Sequence, residues 1–318
     1  MKKEMINNKA SNQPLVSVIL PTYNRAHIVS KSLQSVLAQT YRNFEVIVID
    51  DGSTDNTKEI IINIAHKDPR VKYFRNNENK GPAGARNVGI NLAKGELIAF
   101  IDDDVEWFPY KLEKQVNLLQ TLPEDYAVVY SGLYKIFGYK KIYFSPRDVY
   151  SKEGNVFNFF FKGMFGDPPS MLVRKSALFD VGLFDEKLPI SEDRELAFRL
   201  SKKYKFEVID EPLYISYDTP NSASKQEGAV LARTLLYILE KHIDDFKKDK
   251  KALTHLYFLC GKNYILDNQK RLGLKYLKSA LKNNPFRIKF LIAFVIALLG
   301  TNLFKKIIFL KRKLKIYF

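Results

Sequence analysis

Short apolar runs alternate with segments of helical spacing through the first third of this chain. Residues 16–20, 44–49, 71–74 and 97–101 are rich in valine, isoleucine and other strand formers, and each has the length of a strand. Between them, residues 28–38 put Ile28, Leu33, Val36 and Leu37 on roughly one side of a helix. Residues 54–65 read as a second helix with Ser53 or Thr54 at its N-cap, and residues 83–93 as a third. Strands that alternate with helices are joined by right-handed crossovers and build a largely parallel sheet. The fold class is therefore α/β, and ligands are expected beyond the C-terminal ends of the strands.

The polar residues of interest fall at those ends. Residues 97–101 run into Asp102-Asp103-Asp104. Carboxylates this close repel one another unless a cation neutralises them, and Mg²⁺ or Mn²⁺ shared with a phosphate is the economical explanation. A solvated acidic turn is the alternative. Pro21-Thr22-Tyr23-Asn24-Arg25 supplies a tight turn, hydroxyls and a fixed cation. In Asp50-Asp51-Gly52-Ser53, Asp51 could accept a hydrogen bond from the N3–H of a uracil or thymine; a turn with an N-cap explains the same residues. Gly81-Pro82-Ala83-Gly84-Ala85-Arg86-Asn87 is a small-residue loop opening a helix, where backbone can approach a ligand closely and anionic oxygens are favoured. Arg86 can fork onto a phosphate.

Further on, the spacing predicts a helix over 109–122, a strand over 127–130, a hairpin over 133–145, a loop entering a helix over 191–203, and a short strand over 214–217. Residues 157–167 are aromatic and glycine-bearing, either a loop or a packed turn. Trp107, Phe157, Phe159, Phe160, Phe161 and Phe165 read mostly as core. Beyond about residue 225 the composition changes, and helices are expected over 231–246, 255–266 and 271–281.

Apolar content of 46% is ample for a core in a chain of 318 residues. A single cysteine, Cys260, excludes an intrachain disulfide framework and fits a reducing compartment. The polar first residues have no apolar segment of a signal peptide. The net charge of +16 suggests an anionic partner. Half of it resides in Arg287, Lys289, Lys305, Lys306, Lys311, Arg312, Lys313 and Lys315, with no acid beyond residue 285. That concentration argues against a nucleic-acid groove over the main domain.

Residues 290–299 carry no polar side chain. Extended to Phe304 as a helix the stretch measures roughly 22 Å, short of the ~20 residues that a membrane span needs. Leu303, Ile307, Leu310, Leu314 and Tyr317 then follow on one helical face, with most of the cations off it. That pattern fits a helix lying in a membrane interface; a helix packed on the domain and a true span are the alternatives.

Together and in this order, residues 16–25, 45–55, 81–89 and 100–104 resemble the family 2 glycosyltransferases, particularly those of bacterial surface polysaccharides. The resemblance covers about residues 14–224. It implies a GT-A fold, Rossmann-like, with a mostly parallel sheet flanked by helices, here followed by a helical extension. It also implies a nucleotide-sugar donor, a divalent metal at a D-x-D motif, and inversion at the anomeric carbon. Asp104 and Asp102 match the acidic, metal-binding positions of that motif, and Asp51 matches the base-contacting aspartate. The nucleotide-sugar set is then Pro21, Thr22, Tyr23, Asn24, Arg25, Asp51, Gly52, Gly84, Arg86, Asp102 and Asp103. Residues 191–200 look like the family's E-D segment, which implies Asp193 as general base, with Glu192 next in line.

Two departures stand out. Tyr217 and Thr219 occupy the place of the family's Arg-x-His element, so that the chain does without that histidine or recruits His242 or His255, and Val105 follows Asp104 where an acidic or polar residue is common. The implied organisation is a polar arm (1–13), a glycosyltransferase domain (14–224), a helical extension (225–285) and a membrane-associating tail (286–318). The implied activity is transfer from a nucleoside-diphosphate sugar, with a UDP-sugar favoured, to a hydroxyl of a lipid-linked or growing surface glycan. The enzyme would sit peripherally on the cytoplasmic side of the cell membrane, its tail on an anionic surface, with no nucleic-acid partner. A nucleotidyltransferase and a non-catalytic membrane-attached scaffold are the competing readings.

Overall fold

The computed structural model describes residues 13–146, 167–217 and 228–313, with side chains as far as residue 310. The aromatic positions 157–165, Thr219 and the end of the tail lie outside the described residues. The chain divides into two compact units, residues 1–187 with 192–220, and residues 188–191 with 221–318.

The larger unit begins with β1 (Val16–Thr22), α1 (Val29–Leu37), β2 (Phe44–Asp50), α2 (Thr57–Ala65), β3 (Val71–Arg75), α3 (Gly81–Leu92) and β4 (Leu97–Phe100). It continues with β5 (Val105–Trp107), α4 (Lys111–Thr121), β6 (Tyr126–Phe137), β7 (Lys140–Phe144), β8 (Leu172–Arg174), α5 (Lys175–Val181), α6 (Glu192–Lys203) and β9 (Lys205–Tyr217). All nine strands join one sheet in the order β3-β2-β1-β4-β8-β6-β9-β5, with β7 paired to β6. The first four are mutually parallel, as the alternation predicts. β8 runs antiparallel to β4 and β6, and the edge strand β5 runs antiparallel to β9.

Every residue of β2 is buried, the pattern of a parallel strand covered on both faces. Val16, Val18 and Leu20 meet Val46 and Val48 on one face, beneath Leu33 of α1, Ile61 of α2 and Val116 of α4. Ile19, Ile47, Ile49 and Phe100 line the other, beneath Ile90 of α3, Leu178 of α5 and Leu196 of α6. A β-carbon on Gly89 would lie 2.5 Å from Ile19 Cγ2, so glycine there lets α3 rest directly on β1.

A buried polar cluster ties the N-terminal ends of the strands. Ser17 Oγ donates to Glu45 Oε1 at 2.6 Å, the Lys94 amide donates to the same oxygen at 2.8 Å, and Lys72 pairs with the other oxygen. Burial pushes the Glu45 carboxyl up, but these donors outweigh it and hold it below the usual glutamate value.

Three local expectations change. α2 starts at Thr57, and neither Ser53 nor Thr54 caps it; Asp55 Oδ1 accepts from the Thr57 amide at 3.0 Å instead. The strand over 127–130 and the first hairpin arm are one strand, β6, whose pairing with β9 shifts register at Gly132. The short strand over 214–217 is the end of β9, which begins at Lys205.

The smaller unit is helical: α7 (Ala229–Lys241), α8 (Ile243–Lys248), α9 (Lys250–Leu266), α10 (Lys270–Asn283), α11 (Ile288–Leu299) and α12 (Thr301–Lys313). The helix expected over 231–246 is broken at His242 into α7 and α8. α9 and α10 approach closely because a β-carbon on Gly273 would lie 2.4 Å from Ile265, and one on Gly261 2.8 Å from Leu277. Gly300, at φ +152°, ends α11, so the apolar stretch does not continue to Phe304 as one helix. Among the described residues, no helix is long and apolar enough to cross a membrane. Leu303 and Leu310 of the expected tail face are exposed, but Ile307 is half-buried.

Candidate active site

The turn after β1, the loop after β2, the acidic turn after β4 and the start of α6 are joined by side-chain bonds. Asn24 sits at φ +55°, a left-handed position that asparagine tolerates. Its amide donates to Ser53 Oγ at 2.9 Å and its Oδ1 accepts from the Thr54 amide at 2.7 Å. The Arg25 amide donates to Thr57 Oγ1 at 3.0 Å. The first turn is therefore fixed to the second loop, while Tyr23 stays exposed.

Asp50 is fully buried and accepts from the Ser53 amide (2.8 Å), Tyr73 (2.6 Å) and Arg75 (3.1 Å). Asp51 is also buried. Its carboxylate accepts from Asn76 Nδ2 at 2.7 Å and from the Lys80 amide at 3.0 and 3.1 Å. Asp51 thus orders the segment leading into α3, helped by Gly52 at φ +89°. A β-carbon on Gly84, in the first turn of α3, would come within 2.6 Å of Lys80 Cβ and 3.5 Å of Glu186 Oε2.

The three acids after β4 have different surroundings. Asp103 turns inward: Thr22 Oγ1 donates to it at 2.9 Å and Arg25 Nε lies 3.5 Å away. Burial pushes its carboxyl up to about 7, against the pull of Arg25. The Asp102 side chain is half-buried and accepts from Arg86 Nη2 at 2.8 Å. The Asp104 carbonyl accepts from the Tyr217 amide at 3.3 Å.

Arg86 is the joint of the site. Its second arm donates to Glu192 Oε1 at 2.7 Å, and the side chain is 7% exposed. The fork expected to meet a phosphate is filled by two carboxylates. They hold the guanidinium charged, raising its pKa despite burial. The next residue grips the same region: Asn87 Nδ2 donates to the Phe184 carbonyl (2.9 Å) and Glu186 (2.8 Å), and its Oδ1 accepts from the Phe184 amide at 2.9 Å.

Glu192 and Asp193 occupy the first turn of α6, after Ser191 at φ +62°. Burial, reinforced by the charge of Glu192, pushes the Asp193 carboxyl up to about 7. Asp167 shares this environment although no motif marks it in the sequence. It follows the aromatic segment, accepts from the Tyr214 hydroxyl at 2.6 Å, and is pushed up to about 6 by burial and by Asp102. A polar residue before Pro168-Pro169-Ser170, with aromatics upstream, was the only available signal.

Tyr217, in place of the arginine of Arg-x-His, accepts from Lys31 Nζ at 3.1 Å. His242 and His255 both belong to the helical unit. Burial and the cations Lys289, Arg287 and Lys262 push His255 down to about 4. Among the described residues, no group of three or more His, Cys, Asp or Glu side chains converges to hold a metal.

The chain is similar to known proteins. The family model described as glycosyl transferase family 2 matches residues 17–183. An uncharacterised glycosyltransferase of Rickettsia typhi is 35% identical over 226 residues, covering 67% of this chain and 68% of that protein. The Escherichia coli protein named UDP-Glc:alpha-D-GlcNAc-diphosphoundecaprenol beta-1,3-glucosyltransferase WfgD is 42% identical over 128 residues, 40% of this chain and 49% of that one. Other glycosyltransferases, from Haemophilus influenzae and Rickettsia felis, are spanned over 43% and 31% of their lengths. The structure of Staphylococcus aureus TarS 1–349 with UDP-GlcNAc superposes with a TM-score of 0.69 at 19% identity, covering 91% of this chain and 89% of that one. The mannosyltransferase PcManGT of Pyrobaculum calidifontis, with GDP-Man and Mn²⁺, gives 0.60 at 21%, covering 91% and 81%. With a family model spanning more than half of its length and a parallel half-sheet that carries the motifs at its C-terminal edge, the chain belongs to glycosyl transferase family 2 and has the GT-A fold.

Proposed function

We propose that the protein transfers a sugar from a nucleoside-diphosphate sugar, of the UDP class, to a hydroxyl of a lipid-linked or growing surface glycan. It acts peripherally on the cytoplasmic side of the cell membrane, with its C-terminal tail on an anionic surface. The observation that carries this reading is the double pairing of Arg86, which brings Asp102 and Glu192 onto one guanidinium. A donor-side acid and the acidic pair at the start of α6 thereby share one site. WfgD supports the donor and acceptor classes by its name, and TarS supports the donor class by its bound UDP-GlcNAc.

In this mechanism Asp193 takes the proton from the acceptor hydroxyl as its oxygen bonds to the anomeric carbon. The bond from that carbon to the nucleoside diphosphate breaks on the opposite side, which inverts the centre. A base whose pKa lies near the working pH combines a useful unprotonated fraction with useful basicity, and Asp193 is pushed to about 7. Glu192, held by Arg86, keeps a negative neighbour beside it. Asp51, which accepts from Asn76 and the Lys80 amide, would also accept from a uracil N3–H.

Asp104 and Asp102 would hold Mg²⁺ or Mn²⁺. Asp102 and Asp104 lie on one turn directly after β4, and hard carboxylate oxygens suit a cation that fills its remaining positions with phosphate oxygens and water. When bound, that cation stabilises the departing diphosphate.

The test is calorimetric titration with UDP, dTDP, GDP and CMP, each with and without Mn²⁺. Metal-dependent binding of one diphosphate, lost in Asp104→Ala, is expected. Binding of none of them, or release of pyrophosphate in place of a nucleoside diphosphate during turnover, would overturn the reading.

A further inference from the structure

Beyond Lys289 in its first turn, helix α11 is apolar around its circumference, and the described residues cover it on one side only. Phe290, Ala293 and Ala297 are buried against Phe258, Ile265, Leu277 and Ala280 of α9 and α10, and the Phe258 and Phe290 rings lie 4.8 Å apart. On the other side, Ile288, Leu291, Ile292, Val295, Leu298 and Leu299 are 44–71% exposed. At 3.6 residues per turn these six form one strip about 120° wide, directly opposite the buried one. A helix that is apolar all round normally has both sides covered, and a contiguous exposed apolar strip marks a binding face.

The charges around the strip select its partner. Arg287 and Lys289 stand at the start of α11, within 5.1 Å of the Phe290 ring and 5.2 Å of the Phe258 ring. Lys305 and Lys306 follow in α12, and residues 286–318 hold eight Lys and Arg and no acid. A second copy of this chain would bring the same excess of cations to the contact, and like charges oppose its approach. An anionic lipid leaflet satisfies both features, acyl chains taking the strip and headgroups the cations. The helix lies along such a surface and does not cross it: 12 residues make about 18 Å, and Gly300 turns the chain at its end.

We infer that the outer strip of α11 is an in-plane insertion face for an anionic lipid leaflet. It gives the proposed transferase the physical contact for its peripheral attachment, and rests on that reading for its biological sense. Val295 is at its centre, with Leu291 and Leu298 beside it toward one edge.

The full chain is floated with vesicles of phosphatidylcholine containing phosphatidylglycerol, and with vesicles of phosphatidylcholine alone. The expected result is binding to the anionic vesicles, with partitioning lowered at least tenfold in L291Q/V295Q/L298Q while nucleotide binding is unchanged. A tryptophan reporter, V295W, is expected to shift to the blue and to be quenched by brominated lipids; the one natural tryptophan, Trp107, is buried and gives a constant background. The reporter does not depend on the triple variant folding. Vesicle binding with no quenching of the reporter overturns the insertion face. So does failure to bind vesicles, including the case where self-association in lipid-free solution is abolished by the triple variant, which would assign the strip to a second copy. Loss of nucleotide binding by the unaltered chain would sink the transferase reading and leave the vesicle result standing.

Discussion

Arg86 Nη1 donates to Glu192 Oε1 at 2.7 Å across a pair whose side chains are 7% and 9% exposed. Removing one partner of such a buried pair leaves the other charged and unsolvated, typically at about 3–5 kcal/mol. Arg86 has a second carboxylate, Asp102, on its other arm. Arg86→Ala is therefore expected to lose stability in that range in a urea melt, and transfer activity with it. Arg86→Lys is expected to recover only part of both, because an ammonium cannot span two carboxylates as a planar fork does.

Asp193→Asn removes the proposed base while keeping an oxygen that can accept from the Arg194 amide, at 2.7 Å. Transfer is expected to fall about 10²–10⁴-fold, with nucleotide affinity unchanged in calorimetry. In the unaltered protein the unprotonated carboxylate is the active form, so kcat/KM should rise as the pH climbs through about 7. A profile flat from pH 5 to 8 would remove Asp193 from that role.

Asn87 holds the segment at Phe184 and Glu186 by three hydrogen bonds. Asn87→Ala strands the buried Phe184 amide and carbonyl, which costs about 1–3 kcal/mol. The expected kinetic signature is a lower kcat with the donor affinity kept, because Asp51 and the first turn are not touched. Equal losses in donor binding and in kcat would contradict a positioning role.

Gly89→Ala places a methyl group 2.5 Å from Ile19 Cγ2, in a core with no room to yield. Overpacking of this kind destabilises by about 1–3 kcal/mol. In a chain that also carries Ile19→Ala, which removes Cγ2, Gly89→Ala should cost less stability than it does alone if the contact is responsible.

Glu45 makes a pH-dependent contribution whose sign follows from its lowered pKa. The folded carboxyl ionises more readily than the unfolded one, so the stabilisation is complete above the ordinary value of 4.5. It is lost as the pH falls through the lowered folded value. Urea melts of Glu45→Gln and the unaltered chain should differ most at neutral pH and converge in acid.

The parallel half of the sheet was legible because β1, β2 and β4 are mainly apolar runs buried on both faces, and the partly exposed β3 falls in step with them between two helical segments. β5 and β8 were not, since three residues cannot display a period. β9 hid its length behind Glu207, Asp210, Glu211 and Pro212, half-buried or exposed residues that read as a loop. The acidic pairs announced themselves as local motifs. The role of Arg86 could not, because its partner Glu192 lies 106 positions away and spacing carries no information about such a meeting. Asp167 was hidden for a related reason: its surroundings are made by β9, through Tyr214.

Glu45 and Asp50 sit at opposite ends of the same strand, roughly 17 Å apart at the rise of a parallel sheet. The lower edge is fastened by Ser17, Lys72 and Lys94, none of which reaches the end of the sheet that carries the candidate site. A protein engineer thus has a place to work. Substitutions that harden the chain against heat or acid can be sought around Glu45, where they leave the sugar chemistry undisturbed.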